Sequence, residues 1–502
     1  MTSSGWTAGL PPTVEHLLLP WGKWGEDANG VHPLVAHLLD VAAVVPAIIN
    51  GTARSVQATL IQTLGAGDPT LALIRFQFLA AVHDLGKCEP VFQGQLWSPR
   101  RSEFAGHATR LAVAGLPMTA DPSRRPPSSI GKAAGLFRHE AVTGHLLASF
   151  TELPGWARLV VAGHHGRYPW SNVATGSAEV ATFRTNATSP AWAALQREIL
   201  DLLDKTITPD DDWSRWPTAL PVGGKAWLPV WTGLVCLADW IASDESFVES
   251  APLHLLTEPT AYLQARADHA QDEVPARLGQ VKHPTGTFED LFEGKHPDRP
   301  VQRWAVGTDH GPGLTVVMAP MAEGKTEAVL WIHAAGHGCG DGLLFALPTT
   351  ATTDAMFIRI RKFYDGVDTF GHLAHGRAIL NAYYQDSEVN PIGVDNGAGQ
   401  DGLHPGSWFS GRHRALTAPV TAATQDQALA VGQHVEAVAP VGPAGAPADV
   451  EQRLGDAGTE LALLDVDRRG HQLVHVGAVV EAPAVGAPAR LAAAAGRDLH
   501  QL

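Results

Sequence analysis

Cysteine is nearly missing from this 502-residue chain. The three present, Cys88, Cys236 and Cys339, stand far apart and in no zinc-ligand spacing, which excludes a disulfide scaffold and fits a reducing compartment. The opening residues lack a basic stretch followed by an apolar one, so no secretory signal is read there. No uninterrupted apolar run of membrane-spanning length is read either, and the expectation is a cytoplasmic protein without a membrane partner. Positive charge is short as well: 36 Lys and Arg against 51 Asp and Glu leave a formal net charge of -15. That excludes blanket attraction to nucleic acid but not a local basic groove, because binding depends on where the cations lie.

What is there reads as globular, and the length allows roughly two to four domains. Residues 1–250 are expected to be mostly helical. Val31 to Ile49 spaces Leu34, Val35, Leu38, Leu39, Ala42 and Val45 for one helix, and Trp156–Gly163 and Trp227–Ala242 repeat the pattern. Between Ser98 and Lys132 runs a segment rich in Arg, Ser and Pro, with Arg100-Arg101 and Arg124-Arg125. It is either a solvated surface loop or an electrostatic approach for a phosphate backbone. Residues 251–300, polar and spotted with Pro, read as a connector. From Leu314 the chain alternates: strand 314–318, helix 324–335, strand 343–347, helix 350–363, as in a parallel α/β sheet. Residues 431–502 change character. About half are Ala, Val or Gly, with no Lys, aromatic residue, Ile, Ser or Asn, so an irregular, poorly ordered tail is expected.

The chemistry-bearing residues fall into two groups. His83-Asp84-Leu85-Gly86-Lys87 closes an apolar run from Ala72 to Val82, and an adjacent imidazole and carboxylate suit a borderline divalent metal. Such a metal lowers the pKa of bound water and presents hydroxide to a phosphate ester. A lone His-Asp pair is weak, and a lone His on an apolar helix is more often a hydrogen-bonded core residue. Here His37 precedes the pair, and His139, His164-His165 and Asp239 follow. Five histidines and two carboxylates exceed what one tetrahedral ion needs; two ions bridged by Asp84 would use them all. A His-rich shell favours Mn, Fe, Co or Ni over Mg. Lys87 would hold Asp84 or meet the scissile phosphate, unless it is a plain surface lysine. His107, His145, Arg138 and Glu140 are weaker candidates.

The second group is Ala319-Pro-Met-Ala-Glu-Gly324-Lys325-Thr326, which follows a strand and opens a helix as a P-loop does. Backbone N–H groups would cradle phosphates, Lys325 would reach the β and γ phosphates, and Thr326 would hold Mg. Ala319 replaces the usual first Gly, so the strict signature fails.

The order of the metal candidates resembles that of HD phosphohydrolases. With the second group, residues 15–430 resemble the CRISPR-associated helicase-nucleases of type I antiviral systems, which join an HD nuclease to a superfamily 2 helicase. The match rests on His32-Pro-Leu-Val-Ala-His37-Leu-Leu-Asp40, His83-Asp-Leu-Gly-Lys87, Arg138-His139-Glu140, Gly163-His-His-Gly166 and Leu237-Ala-Asp239-Trp-Ile-Ala-Ser243. It continues through Gly324-Lys-Thr-Glu-Ala328, Leu347-Pro-Thr-Thr-Ala-Thr352, Trp408-Phe-Ser-Gly-Arg412, Ala418-Pro-Val420 and Asp426-Gln427.

The resemblance implies an all-α HD-type nuclease domain (1–250), a connector (251–300), a partial α/β RecA-like helicase lobe with its P-loop (301–430) and the atypical tail (431–502). It implies His37, His83, Asp84, His139, His164, His165 and Asp239 as ligands of two transition-metal ions, with His83, Asp84 and Lys87 catalytic. ATP with Mg would sit on Gly324, Lys325 and Thr326, with Gln302 reading adenine. Partners would be the single-stranded DNA of an R-loop and a crRNA-guided surveillance complex, met as a monomer. Beyond Leu429 the expected Asp-Glu box and second lobe are not found; Leu461–Asp467 imitates such a strand by coincidence. The expectation is a frameshift or truncation, with unwinding lost and a sheet edge left unpaired. Two other readings stay open: a phosphohydrolase of small nucleotides, and a non-catalytic remnant that only docks on the surveillance complex.

Overall fold

The computed structural model describes residues 15–24, 31–52, 54–94, 101–116, 139–165, 190–220, 224–279, 281–310, 315–335, 342–381, 383–384, 402–410, 414–428, 459–466 and 474–480. The chain divides into two compact units, one formed chiefly by residues 1–280 and one by 281–428 with residues 459–466 and 474–480.

The first unit is helical around one central helix, Leu34–Gly51. By length and composition this helix is apolar enough to cross a bilayer, contrary to the sequence reading, but 83% of it is buried inside the unit and it carries His37 and Asp40. Helices Pro69–Ala81, Leu228–Ala242 and Pro259–Leu278 pack against it. A short antiparallel pair, β1 (Trp21–Trp24) and β2 (Val31–Pro33), feeds the chain into it.

Two sequence expectations change here. Within the segment read as a loop, Arg101–Val113 is a helix, while Arg124 and Arg125 lie outside the described residues. The connector is replaced in large part by the twenty-residue helix Pro259–Leu278, whose Tyr262, Arg266, Ala270 and Val274 are buried. Its polar composition misleads because Arg266 is inside: its Nε donates to Asp40 Oδ1 at 2.7 Å, and one terminal nitrogen donates to the Phe247 carbonyl at 2.6 Å. Tyr262 also donates to Asp40 (2.9 Å), and His32 completes the shell at 2.8 Å. A buried charge of this kind is tolerable only when so paired.

The second unit is an α/β sheet whose strands lie in the order β3 (Val317–Met318), β9 (Val474–Val480), β8 (Thr459–Val466), β4 (Leu343–Leu347), β7 (Val420–Thr424), β5 (Thr369–Ala374) and β6 (Leu403–His404). Strands β4, β7, β5 and β6 run parallel, as the alternating pattern predicts. Helix Thr350–Phe363 opens with a Thr349/Thr352 capping box and buries Phe357, Ile360 and Phe363. The tail supplies an antiparallel hairpin, β8 and β9, between β3 and β4. This pairing falls on the run read from sequence as a coincidental imitation of a strand, Leu461–Asp467, while the rest of residues 431–502, β9 apart, lies outside the described residues. Because β8 is antiparallel to β4, with Leu464 opposite Leu344, position 465 lies at the edge opposite the carboxyl ends of the parallel strands. Among the described residues both sheet edges are two-residue strands, β3 and β6, which limits the open edge expected from the sequence.

Candidate metal centre

The candidate ligands sit mostly where helices begin or end. Helix Pro69–Ala81 starts with Asp68 accepting from the Thr70 and Leu71 amides (2.8 and 3.2 Å) and stops before His83-Asp84. His139 is the first residue of helix His139–Phe150, and Asp239 lies in the last turn of Leu228–Ala242. His164 and His165 follow the end of Gly155–Ala162, and His37 points inward from the central helix. Gly86 is required for the approach of these parts: a Cβ there would stand 2.0 Å from the His139 carbonyl oxygen. Its N–H donates to Thr143 Oγ1 at 2.8 Å instead.

The six other predicted ligands gather around Asp84. Its Oδ2 faces His37 Nε2 and His83 Nε2, each at 3.2 Å, and its Oδ1 faces His139 Nε2 at 3.1 Å and His164 Nε2 at 3.3 Å. Asp239 Oδ1 joins the first side, 3.4 Å from His37 and 3.6 Å from His83. On the second side His165 Nε2 lies 2.8 Å from His139 Nε2. The result is two sets, His37/His83/Asp84/Asp239 and Asp84/His139/His164/His165, with the ligand atoms of each within 4.8 Å of one another.

The donor chemistry fits divalent cations. His83 Nδ1 donates to the Ala80 carbonyl (2.8 Å) and His164 Nδ1 to that of Val161 (2.7 Å), which leaves each Nε2 lone pair aimed at the centre when the ring is neutral. His83 Nε2, His164 Nε2 and Asp84 Oδ1 are buried without a hydrogen-bond partner. Buried polar atoms so left are costly, and several lone pairs converging on one space suit a metal.

Without metal, charge is shared inside the cluster. Burial opposes ionisation of Asp84 and Asp239, yet surrounding His and Lys cations hold both carboxylates well below their usual range. Burial also opposes the His83 imidazolium, but Asp84 and Asp239 outweigh it and raise its pKa to about 9. Burial lowers His37, and burial with the neighbouring His164 and His139 lowers His165 to about 4.

Lys87 is buried and ion-paired with Asp84 Oδ2, the role of holding that carboxylate. Lys23, which the sequence reading missed, stands 3.5 Å from Asp239 on the half-exposed rim; its only sequence signal is its place in Trp21-Gly-Lys-Trp24. Gln93 was missed too. Fully buried, it binds Trp21 N and O, the Lys87 carbonyl and His107 Nε2, tying β1 to the His-Asp turn. His107 is thus a core histidine, its pKa lowered to about 4 by burial and Arg110. Glu140 is 3.7 Å from His139 Nδ1, His145 is in neither ligand set, and Arg138 lies outside the described residues.

In the second unit, β3 leads through a left-handed turn into helix Lys325–Ala335. Positive φ falls at Ala322 and Gly324 rather than at Ala319, so an alanine at 319 meets no such strain. Lys325 Nζ donates to the Ala319 and Pro320 carbonyls (2.7 and 3.1 Å). The Gln302 amide packs where a Gly324 side chain would go, 2.1 Å from its ideal Cβ. Gln302, Gly324, Lys325 and Thr326 therefore line one cleft of about 490 Å³, with Arg299 and Arg359 beside them.

Comparison with known proteins points the same way. Residues 21–248 match the family described as Cas3, HD domain. A CRISPR-associated endonuclease/helicase Cas3 of Thermus thermophilus is 30% identical over 431 residues, covering 81% of this chain and 43% of that protein. A CRISPR-associated nuclease/helicase Cas3 of Streptococcus thermophilus is 27% identical, covering 71% and 39%. The crystal structure of T. fusca Cas3 with ATP superposes with a TM-score of 0.59 at 26% identity, covering 82% of this chain and 44% of that one. The chain spans less than half the length of these relatives.

Proposed function

Because residues 21–248 belong to the Cas3 HD-domain family, we propose that this chain is a metal-dependent endonuclease of single-stranded DNA. The observation that carries the reading is Asp84, whose two carboxylate oxygens each face a separate set of imidazoles. His37, His83, Asp84 and Asp239 would hold one divalent ion, and Asp84, His139, His164 and His165 a second (Mn, Fe, Co or Ni, by the softness of the His-rich shell). These would supply charge neutralisation for a phosphate and acidification of a water. Asp84 draws both sets onto one point and Lys87 keeps it ionised. His83 and His164 present Nε2 because their Nδ1 hydrogens are committed to backbone carbonyls. The more exposed members, His165 and Lys23, mark the side from which a phosphodiester approaches.

The second unit, on this reading, binds ATP with Mg through Gly324, Lys325, Thr326 and Gln302. Processive unwinding is not part of the proposal, since the acidic end of β8 lies at the sheet edge away from the P-loop. The relatives are named as CRISPR-associated nuclease/helicases. On that likeness the substrate is the displaced strand of an R-loop opened by a crRNA-guided surveillance complex. Cleavage of circular single-stranded DNA by the purified chain, with Mn, Co, Ni or Mg, tests the reading against an Asp84→Ala control. Metal-dependent cutting without ATP is expected. A folded, metal-loaded chain that cuts nucleotides but no DNA, or cuts nothing, would overturn it.

A further inference from the structure

Two lysines stand against the ligand carboxylates, and they are not equivalent. Lys87 is buried, ion-paired with Asp84 Oδ2 and 3.5 Å from the Gly22 carbonyl oxygen, so its amine is enclosed. Lys23 keeps 29% of its side chain exposed and lies 3.5 Å from Asp239 Oδ1. The Ser243 hydroxyl, closer than that amine, already donates to the same oxygen at 2.8 Å. Holding Asp239 therefore does not account for Lys23. Its backbone, by contrast, is fixed from several sides. Gln93 binds both the N–H and the carbonyl of Trp21, and the Trp21 indole donates to the Gln93 carbonyl at 3.2 Å. Strand β2 pairs His32 with Lys23 across the ladder. At Gly22 the strand presses so closely on the central helix that a Cβ would stand 2.9 Å from His37 Cβ. A short, firmly mounted strand thus carries one loosely paired cation to the rim of the metal centre.

We propose that Lys23 is a substrate-binding residue, whose ammonium takes a phosphate of the DNA strand as the strand enters the metal centre. The proposal rests on the reading of this site as a nuclease of single-stranded DNA and names the side chain that anchors the backbone. An ammonium on a flexible stem suits that task, because it follows a phosphate oxygen as a point charge and reads no base. With a net charge of -15 the chain repels a polyanion at long range, so capture depends on cations placed at the site itself. Lys87, enclosed on Asp84, is not placed to supply one.

The test is the affinity of the Mn-loaded full chain for a fluorescent oligothymidylate with phosphorothioate linkages, which keep the charge and slow hydrolysis. Anisotropy is read across a salt series. Lys23→Met is expected to weaken binding roughly tenfold at low salt, the size of one charge-assisted contact. Its plot of log affinity against log salt should lose about 0.7 of slope, the ion release of one phosphate on a single strand. Lys23→Arg should keep the slope, with affinity within about threefold of the wild type. Metal content by elemental analysis should stay at the wild-type value in both variants. Lys205→Met, which removes an exposed cation from helix Pro190–Ile207, a helix bearing no candidate ligand, controls for net charge and should change neither affinity nor slope. A Lys23→Met chain that binds with the wild-type slope, or that loses metal along with affinity, overturns the proposal and leaves the nuclease reading standing. A wild-type chain that neither binds nor cuts single-stranded DNA removes that reading and the proposal with it.

Discussion

The metal centre and the P-loop cleft solve opposite problems with charged residues. Around Asp84 the sequence buries what water would otherwise solvate: His37, His83, Asp84 and His164 are all at most 4% exposed. Charge there is tolerated only through neighbours, and the buried His83 Nε2, His164 Nε2 and Asp84 Oδ1 converge without a hydrogen-bond partner. In the cleft, Lys325, Thr326, Glu327 and Arg359 stay partly in water and satisfy one another or loop carbonyls. A buried cluster is therefore held by its ligand, whereas an open loop is held by its backbone. Removing a group should unfold function and stability together in the first region but only function in the second.

The largest expected effect is at Asp84, which alone belongs to both ligand sets. Asp84→Ala should lower DNA cleavage by roughly a thousandfold or more. Metal content by elemental analysis should fall from two ions per chain toward none. Two ions retained by a folded variant would show that the carboxylate does not bridge.

Next is Arg266, which probes the same burial away from the ligands. Arg266→Ala leaves Asp40 inside with only His32 and Tyr262, and should cost about 3–5 kcal/mol in denaturant unfolding. A loss below about 1 kcal/mol would mean that helix Pro259–Leu278 is not integral to the first unit. Metal-free stability should also follow pH. His83 has a folded pKa of about 9 against an unfolded value of 6.5. Its contribution is full below 6.5 and is lost as pH rises through about 9, a change of ~3 kcal/mol. The depressed carboxylates act oppositely, stabilising above their unfolded values and failing as acid protonates them. The lowered histidines His37, His165 and His107 likewise stabilise above 6.5 and lose that contribution as pH falls. Melting of the chelated chain should thus peak near neutral pH, and excess metal, which displaces the His83 proton, should flatten its alkaline decline. A melting temperature level from pH 6 to 9 without metal would contradict the raised pKa.

Gly86→Ala is smaller and more selective. The added methyl meets the His139 carbonyl, so overpacking should cost about 1–3 kcal/mol. Displacing helix His139–Phe150 should weaken the His139/His164/His165 set while sparing His37, His83 and Asp239, giving near one ion per chain. Loss of both ions in parallel would indicate that the two sets are coupled more tightly than their separate elements suggest.

The parts of this contrast legible in sequence were those where residue type and position both speak. Adjacent His-Asp and His-His pairs at helix ends, and Gly-Lys-Thr after a strand, announce chemistry. The twelve residues assigned to the two sites lie together in two places, whereas His107 is a core histidine and His145 joins neither ligand set. What escaped were residues whose role depends on a distant partner. Arg266 looks solvated until Asp40 is placed beside it, 226 positions away. Lys23 and Gln93 carry no motif, and Arg359 reaches Glu327 only because two helices of the α/β unit lie side by side. In the tail the run Leu461-Ala-Leu-Leu does carry the strand signal of β8, and only the Ala- and Gly-rich surroundings make it read as coincidence.

The smallest expected effect closes the comparison. Lys325→Ala removes a cation that is half in water and bonded only to loop carbonyls. No buried partner is orphaned by its loss, so unfolding free energy should change by no more than about 0.5 kcal/mol. Nucleotide affinity should nevertheless fall beyond tenfold, because the amine is the one P-loop side chain that carries full charge to the phosphates. DNA cleavage by the metal centre should not move, since none of its ligands belongs to the same unit. Calorimetry and nucleotide titration on one preparation decide it. A variant that melts several degrees lower would show that the loop, like the His-Asp cluster, depends on its charged side chain to fold, and the distinction between the two regions would fail.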